Sequence, residues 1–142
     1  MTESTNRFQP PVAQLDLPHN TQKPDLKTLY TSFSGRISRK VFWIYGVLLM
    51  IVVALVVFGI IGAISAASET LALILSVPAY IALMWASFAM QAKRWHDRNK
   101  SAWWILIGFI PVIGGIWALV ETGFLRGTAG PNRFGDDLAD QY

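Results

Sequence analysis

The chain has 142 residues, of which 53% are apolar and 15% charged, with a net charge of +3; a soluble domain ordinarily carries about 25% charge. It contains no cysteine, which excludes disulfides, cysteine-bound zinc and thiol chemistry. The charges crowd into gaps between long uncharged runs, so the basic excess reads as membrane orientation rather than as a stripe for nucleic acid.

Residues 1–28 read as a disordered tail. Pro10, Pro11, Pro18 and Pro24 interrupt any helix, polar residues fill the gaps, and Arg7, Lys23 and Lys27 balance Glu3, Asp16 and Asp25. Too little of this stretch is apolar to offset the entropy of ordering it. It lacks the apolar core and small-residue cleavage site of a signal peptide. From Leu29 to Lys40 a turn at Ser34-Gly35 and the basic residues Arg36, Arg39 and Lys40 precede an apolar run. Tyr30 and Phe33 suit a short amphipathic entry at headgroup level.

Val41 to Ser68 contains no charge, nor does Thr70 to Ala92 beyond the single break at Glu69. About 20 apolar residues cross a hydrocarbon core of about 30 Å, so both runs are long enough to span. Trp43 and Tyr45 lie at an interface position. The connection near Ser65 to Thr70 is so short that the two spans form a tight antiparallel hairpin, with Pro78 expected to kink the second. Lys93 to Lys100 is the densest charge cluster, and Ser101 to Val120 follows as a third apolar run weakened by Pro111, Gly114 and Gly115. The expected architecture is an all-α membrane protein of about three transmembrane helices, placed at about 41–64, 70–92 and 101–121. They lie in a membrane domain of 29–137, and a short tail, 138–142, ends the chain.

Basic residues concentrate in cytoplasmic loops. Arg36, Arg39 and Lys40 lie before the first span, Lys93, Arg94, Arg98 and Lys100 after the second, and none between them. The N-terminus is therefore expected inside. A full third crossing places the acidic C-terminus outside and is the favoured path. A bend at Pro111 and Gly114-Gly115 would instead return it to the inside.

Candidate chemistry is thin. His96-Asp97 suggests a metal, but His19 in the tail is the only other histidine and a metal needs three or four ligands. The pair more readily anchors a cytoplasmic turn, with Asp97 facing Arg94 at helical spacing. Trp95 reads as an interfacial anchor. Glu121 reads either as a charge at the exit of the span or as a polar partner for another helix. The basic clusters suit anionic lipid at the cytoplasmic face. Gly59, Ala63 and Ala67, with Gly62 and Ala66 beside them, and Ala82, Ala86 and Met90 on the second span, form small-residue seams for hairpin packing or self-association. No phosphate loop, nucleophile elbow or carboxylate pair is present, so no catalytic, cofactor or metal residue is assigned.

Four blocks then resemble a known family: FSGRISRKVFW (Phe33–Trp43), AKRWHDRNKSAWW (Ala92–Trp104), IPVIGGIW (Ile110–Trp117) and GTAGPNRFGDD (Gly127–Asp137). They are similar to the bacterial domain of unknown function 805 family of small inner-membrane proteins. The departures are Trp95, where the family usually has leucine, and Asp137, where it often has proline. The resemblance implies a multi-pass inner-membrane protein without established enzymatic activity. It singles out Arg36, Arg39, Arg94, His96, Asp97, Asn132 and Arg133 for a shared structural or interaction role, beside the charges Lys40, Lys100 and Glu121. With a cytoplasmic C-terminal loop, Asn132 and Arg133 would meet the first two blocks; with an external one they would not. The function expected is interaction with membrane proteins or lipids in envelope integrity or stress response, homo-oligomerisation included. The alternative is a subunit of a small oligomeric transporter or channel.

Overall fold

The computed structural model describes residues 25–136. Helix α1 is Leu26–Thr31, α2 is Arg39–Ser65, α3 is Glu69–Asp97, α4 is a 3₁₀ helix at Ala102–Phe109, and α5 is Ile113–Phe124. No regular strand occurs among the described residues. The tail expected over 1–28 lies outside these residues up to 24, but its end is helical. Asp25 caps α1 by accepting from the Lys27 and Thr28 amides, and Leu29 is buried. The short tail expected at 138–142 also lies outside.

Helices α2 and α3 contain 27 and 29 residues, about 40 Å each at 1.5 Å per residue, enough to cross a bilayer. They pair as the hairpin expected from the short connection, and Ser68 caps α3 by accepting from the Leu71 amide at 3.3 Å. Helix α3 continues through Pro78 without a break. The apolar window of α2 is 0% buried and that of α3 only 6%, whereas the core helix of a soluble protein would be mostly covered. Gly59 and Gly62 are open: a Cβ at either would meet nothing within 4 Å. The shielded positions of α2 recur instead at Ala54, Val57, Ile61 and Ile64, the spacing of one helix face.

The third apolar run departs from the expected full crossing. It divides at 110–112 into α4 and α5, which pack against each other. Each is under about 20 Å long at the rise of its helix type, roughly half a hydrocarbon core. Gly114 permits the return, because a Cβ there would lie 1.8 Å from the Ile107 carbonyl oxygen. Val112 turns the chain with φ 63° and ψ −64°, and the Ile113 amide donates across it to the Pro111 carbonyl at 2.7 Å. Lys100 before α4 and Glu121 near the end of α5 are hydrogen-bonded. Both ends of the segment are therefore joined, and among the described residues two helices, α2 and α3, are long and apolar enough to span.

Candidate functional site

The polar blocks converge where α3 ends. Arg94 and Asp97 stand three residues apart on its last turns, form an ion pair, and are 0% and 4% exposed. The loop before α2 brings Arg36 to the same carboxylate. Its Nε and Nη2 donate to Asp97 Oδ1 at 3.2 and 3.0 Å. Asp97 thus has one guanidinium on each oxygen. Its side chain is only 6% exposed.

The remaining donors of Arg36 organise the segment after α5. Nη2 donates to the Thr128 carbonyl at 2.8 Å, and Nη1 to those of Gly130, Gly135 and Asp136 at 2.9, 3.2 and 3.0 Å. Gly130 and Gly135 have φ of +76° and +147°, conformations that favour glycine, and these turns point the carbonyls at the arginine. Thr128 ties the loop to α3 by donating its amide and hydroxyl to the Asp97 carbonyl at 2.8 and 2.7 Å. Gly127 fits only as glycine, since a Cβ would sit 2.0 Å from Asp97 Oδ2.

The end of α5 is capped by side chains throughout. A helix leaves its last carbonyls without internal partners, and here five successive carbonyls at and just past the end of α5 accept from side chains, four times from arginine and once from a tryptophan. Thr122 and Leu125 accept from Arg94, Gly123 from Trp43 Nε1 at 2.9 Å, Phe124 from Arg39 at 2.9 Å, and Arg126 from Arg98. Positive charge at a helix C-terminus also opposes the macrodipole. The other end of the apolar segment is held by Glu121, which accepts from Arg98 at 2.9 Å and from Lys100. Burial pushes the Glu121 carboxyl up, but hydrogen bonds and charge from Lys100 and Arg98 outweigh it and hold the group below its ordinary value.

His96 stacks on Phe134 with centroids 3.9 Å apart, and its Nδ1 lies 3.1 Å from the Gly35 carbonyl. That contact requires the hydrogen on Nδ1, since a carbonyl only accepts. Asn132 Nδ2 donates to the His96 carbonyl at 2.9 Å, and Arg133 to that of Asn99 at 3.2 Å. Lys93 donates to the Thr28 and Leu29 carbonyls at 2.8 and 2.6 Å, which docks α1.

The sequence profile of the family described as protein of unknown function (DUF805) matches residues 30–136. The chain belongs to the DUF805 family. It is 31% identical to the uncharacterized protein YiiR of Escherichia coli K12, covering 77% of this chain and 87% of that one. It is also 34% identical to the inner membrane proteins YhaI and YhaH of the same organism, covering 76% of this chain and 86% and 88% of theirs. No solved structure matches significantly.

Within this DUF805 chain the structure joins Arg36, Arg39, Arg94, His96, Asp97, Lys100, Glu121, Asn132 and Arg133 in one assembly. Lys40 is exposed beside it. One expectation about these residues is corrected: Trp95 is not an interfacial anchor but 0% exposed. Arg94 and Asp97 pair at the expected three-residue spacing, and both are buried. Thr122, Gly127, Thr128 and Phe134 were not singled out from the sequence; the glycine-rich spacing of the last block was the available sign of turns wrapped around a side chain.

Proposed function

We propose that this DUF805 protein is a non-enzymatic, multi-pass protein of the bacterial inner membrane that acts through protein or lipid contacts at its charged end. On this reading α2 and α3 span, α4 and α5 re-enter, and both the N-terminus and the C-terminal loop are cytoplasmic. The observation that carries it is an inverted distribution of residues. Leu55 and Leu73 are 70% and 62% exposed while Arg94 and Asp97 are buried, and apolar exposure on that scale is at home in lipid. The basic residues gather at one end of the hairpin, which supports its cytoplasmic placement. A non-enzymatic role is supported, among the described residues of the charged end, by the engagement of Arg36, Arg94, Asp97 and Glu121 with one another and with Arg98 and Lys100.

The role in view is support of envelope integrity or of the stress response. Reporter fusions test the topology: a C-terminal fluorescent fusion is expected to be bright and a phosphatase fusion inactive. Crosslinking from exposed positions of the charged end is expected to recover a membrane-protein or lipid partner, and deletion to raise envelope permeability under stress. Intact stress survival together with no crosslinked partner would refute the role. A transporter or channel subunit has one observation in its favour, the helix break at 110–112. Flux through reconstituted protein would establish it.

A further inference from the structure

The molecule tapers from one end of the α2–α3 hairpin to the other. At the charged end α4 runs antiparallel beside α3: the Trp104 and Trp95 rings are 5.9 Å apart, and Phe109 lines one cleft with Phe88. The five residues of 3₁₀ helix and the seven of α-helix between these contacts both cover about 10 Å. The whole of α4 is about 16 Å long, and α5 returns against it. The pair therefore flanks only the last part of α3, which measures about 40 Å. Helix α1 keeps to the same end. Leu29 packs with Val41, Phe42 and Met90, the Tyr30 hydroxyl donates to the Tyr45 carbonyl at 2.9 Å, and Trp85 Nε1 donates to the Thr31 carbonyl at 3.3 Å.

From there α2 and α3 go on to their connection at 66–68, and the hairpin thins as it does so. Near the connection it carries Gly59, Gly62, Ala63, Ala66 and Ala67. At the charged end the side chains are large: all six tryptophans lie on that side of the hairpin's midpoint, and Trp103, Phe109 and Trp117 are exposed. Number of helices and size of side chain therefore decrease in the same direction. A helix with its side chains is about 10–12 Å across, so α4 and α5 add roughly 160–220 Å² of cross-section at the charged end alone.

We propose that the protein is a membrane wedge, which favours bilayer bent so that the leaflet at its charged end lies on the convex side. That leaflet must part around α4 and α5 as well as the hairpin, the opposite one around the hairpin alone. Bending in this sense expands the first leaflet relative to the second and makes room for the additional helices. Apolar helices inserted shallowly into one leaflet bind in a curvature-sensitive way. The partner is the lipid surface itself, selected by its shape. The inference rests on the membrane placement proposed above, since a wedge acts only when the hairpin spans.

The test uses the full-length protein in giant phosphatidylcholine vesicles, from which a narrow tube is pulled outward. The chain has no cysteine, so one introduced at an exposed position is a unique label site. Ala129→Cys, treated from outside with a membrane-impermeant fluorescent maleimide, reports molecules whose charged end faces outward; Ala67→Cys reports the opposite orientation. Both alanines are exposed. Relative to a lipid dye, the tube is expected to be enriched several-fold in molecules labelled at 129 and depleted of those labelled at 67. Two sets of changes in these backgrounds attack the taper from its two ends. Gly59→Phe with Gly62→Phe adds bulk at the narrow end, where a Cβ meets nothing within 4 Å; Trp103→Ala with Phe109→Ala removes it at the wide end. Each set is expected to bring both ratios toward unity, with the melting temperature showing that the variants are folded. Equal ratios for the two labels, or folded variants that keep the wild-type ratios, overturn the wedge. The labelled fractions test the placement separately: for a spanning hairpin those at 129 and 67 are complementary. Complete labelling of both from outside intact vesicles overturns the membrane placement itself.

Discussion

Along α3 the usual pattern of exposure reverses. Leu73 and Val77 are 62% and 60% exposed, whereas Arg94 and Asp97, about five turns further on, are 0% and 4% exposed. The first region has few fixed partners, and its contacts in a bilayer would be with fluid lipid. The second surrounds its charges with defined donors and acceptors from the loop before α2, the end of α5 and the last loop. Chemistry that is expensive to bury therefore sits where geometry is most specific. Replacements should be tolerated in the first region and severe in the second.

The largest effect is expected at Asp97. Asp97→Asn leaves Arg36 and Arg94 facing each other, buried, without their shared anion. Breaking a buried ion pair from one side costs about 3–5 kcal/mol. Thermal unfolding in detergent, followed by loss of the monodisperse peak, should show it, while Leu55→Ala in lipid vesicles should move the midpoint little. Similar losses for the two variants would break the contrast. Gly127→Ala comes next, because its methyl would displace the Asp97 carboxylate; overpacking of this kind costs about 1–3 kcal/mol. Gly114→Ala, aimed at the Ile107 carbonyl, should lower the midpoint comparably by prying α4 from α5.

The two regions also differed in how far they could be read in advance. Uncharged runs as long as Val41–Ser68 and Thr70–Ala92 need only hydropathy and length to be recognised, and α2 and α3 follow them closely. Ser101–Val120 met the same criterion, yet it forms two short helices rather than one long one, because hydropathy is blind to a glycine that admits a neighbouring carbonyl. The Pro111 and Gly114-Gly115 cluster pointed to a bend, but its outcome depended on Glu121 finding Lys100 and Arg98. At the charged end, the three-residue spacing of Arg94 and Asp97 foretold their pairing. Burial did not follow from spacing, since it is created by Arg36 and the 127–136 loop arriving from distant parts of the chain. Trp95 lies among charges in sequence, which suggests an interface position; in the fold it is fully buried beside Trp104, with ring centroids 5.9 Å apart.

A smaller effect is expected at the rim of the charged end. Glu121→Gln keeps the shape but removes the anion facing Arg98 and Lys100, about 1–2 kcal/mol for partly covered charged contacts. The folded carboxyl is held below its ordinary value, so its contribution is complete above the unfolded value of about 4.3. It is lost as the pH falls through the folded one. Wild-type and Glu121→Gln melting temperatures should therefore differ at pH 7 and converge in acid. A constant gap down to low pH would mean that the ion pairs do not stabilise the junction.

The smallest effect belongs to Val112 at the tip of the re-entrant pair, and there the backbone alone decides it. The side chain is 77% exposed, so truncating it removes little packing. A β-branched residue at φ 63° is an outlier, and its γ-turn is a strained one. Val112→Gly relieves that strain, of order 1–3 kcal/mol, but loses about 0.5–1 kcal/mol through the added freedom of the unfolded chain. The net should be a slight gain in melting temperature. Val112→Pro, fixed near φ −65°, cannot make the turn and should destabilise the hairpin. If both variants melted like wild type, the tip would not require the backbone conformation that returns the third segment toward α3.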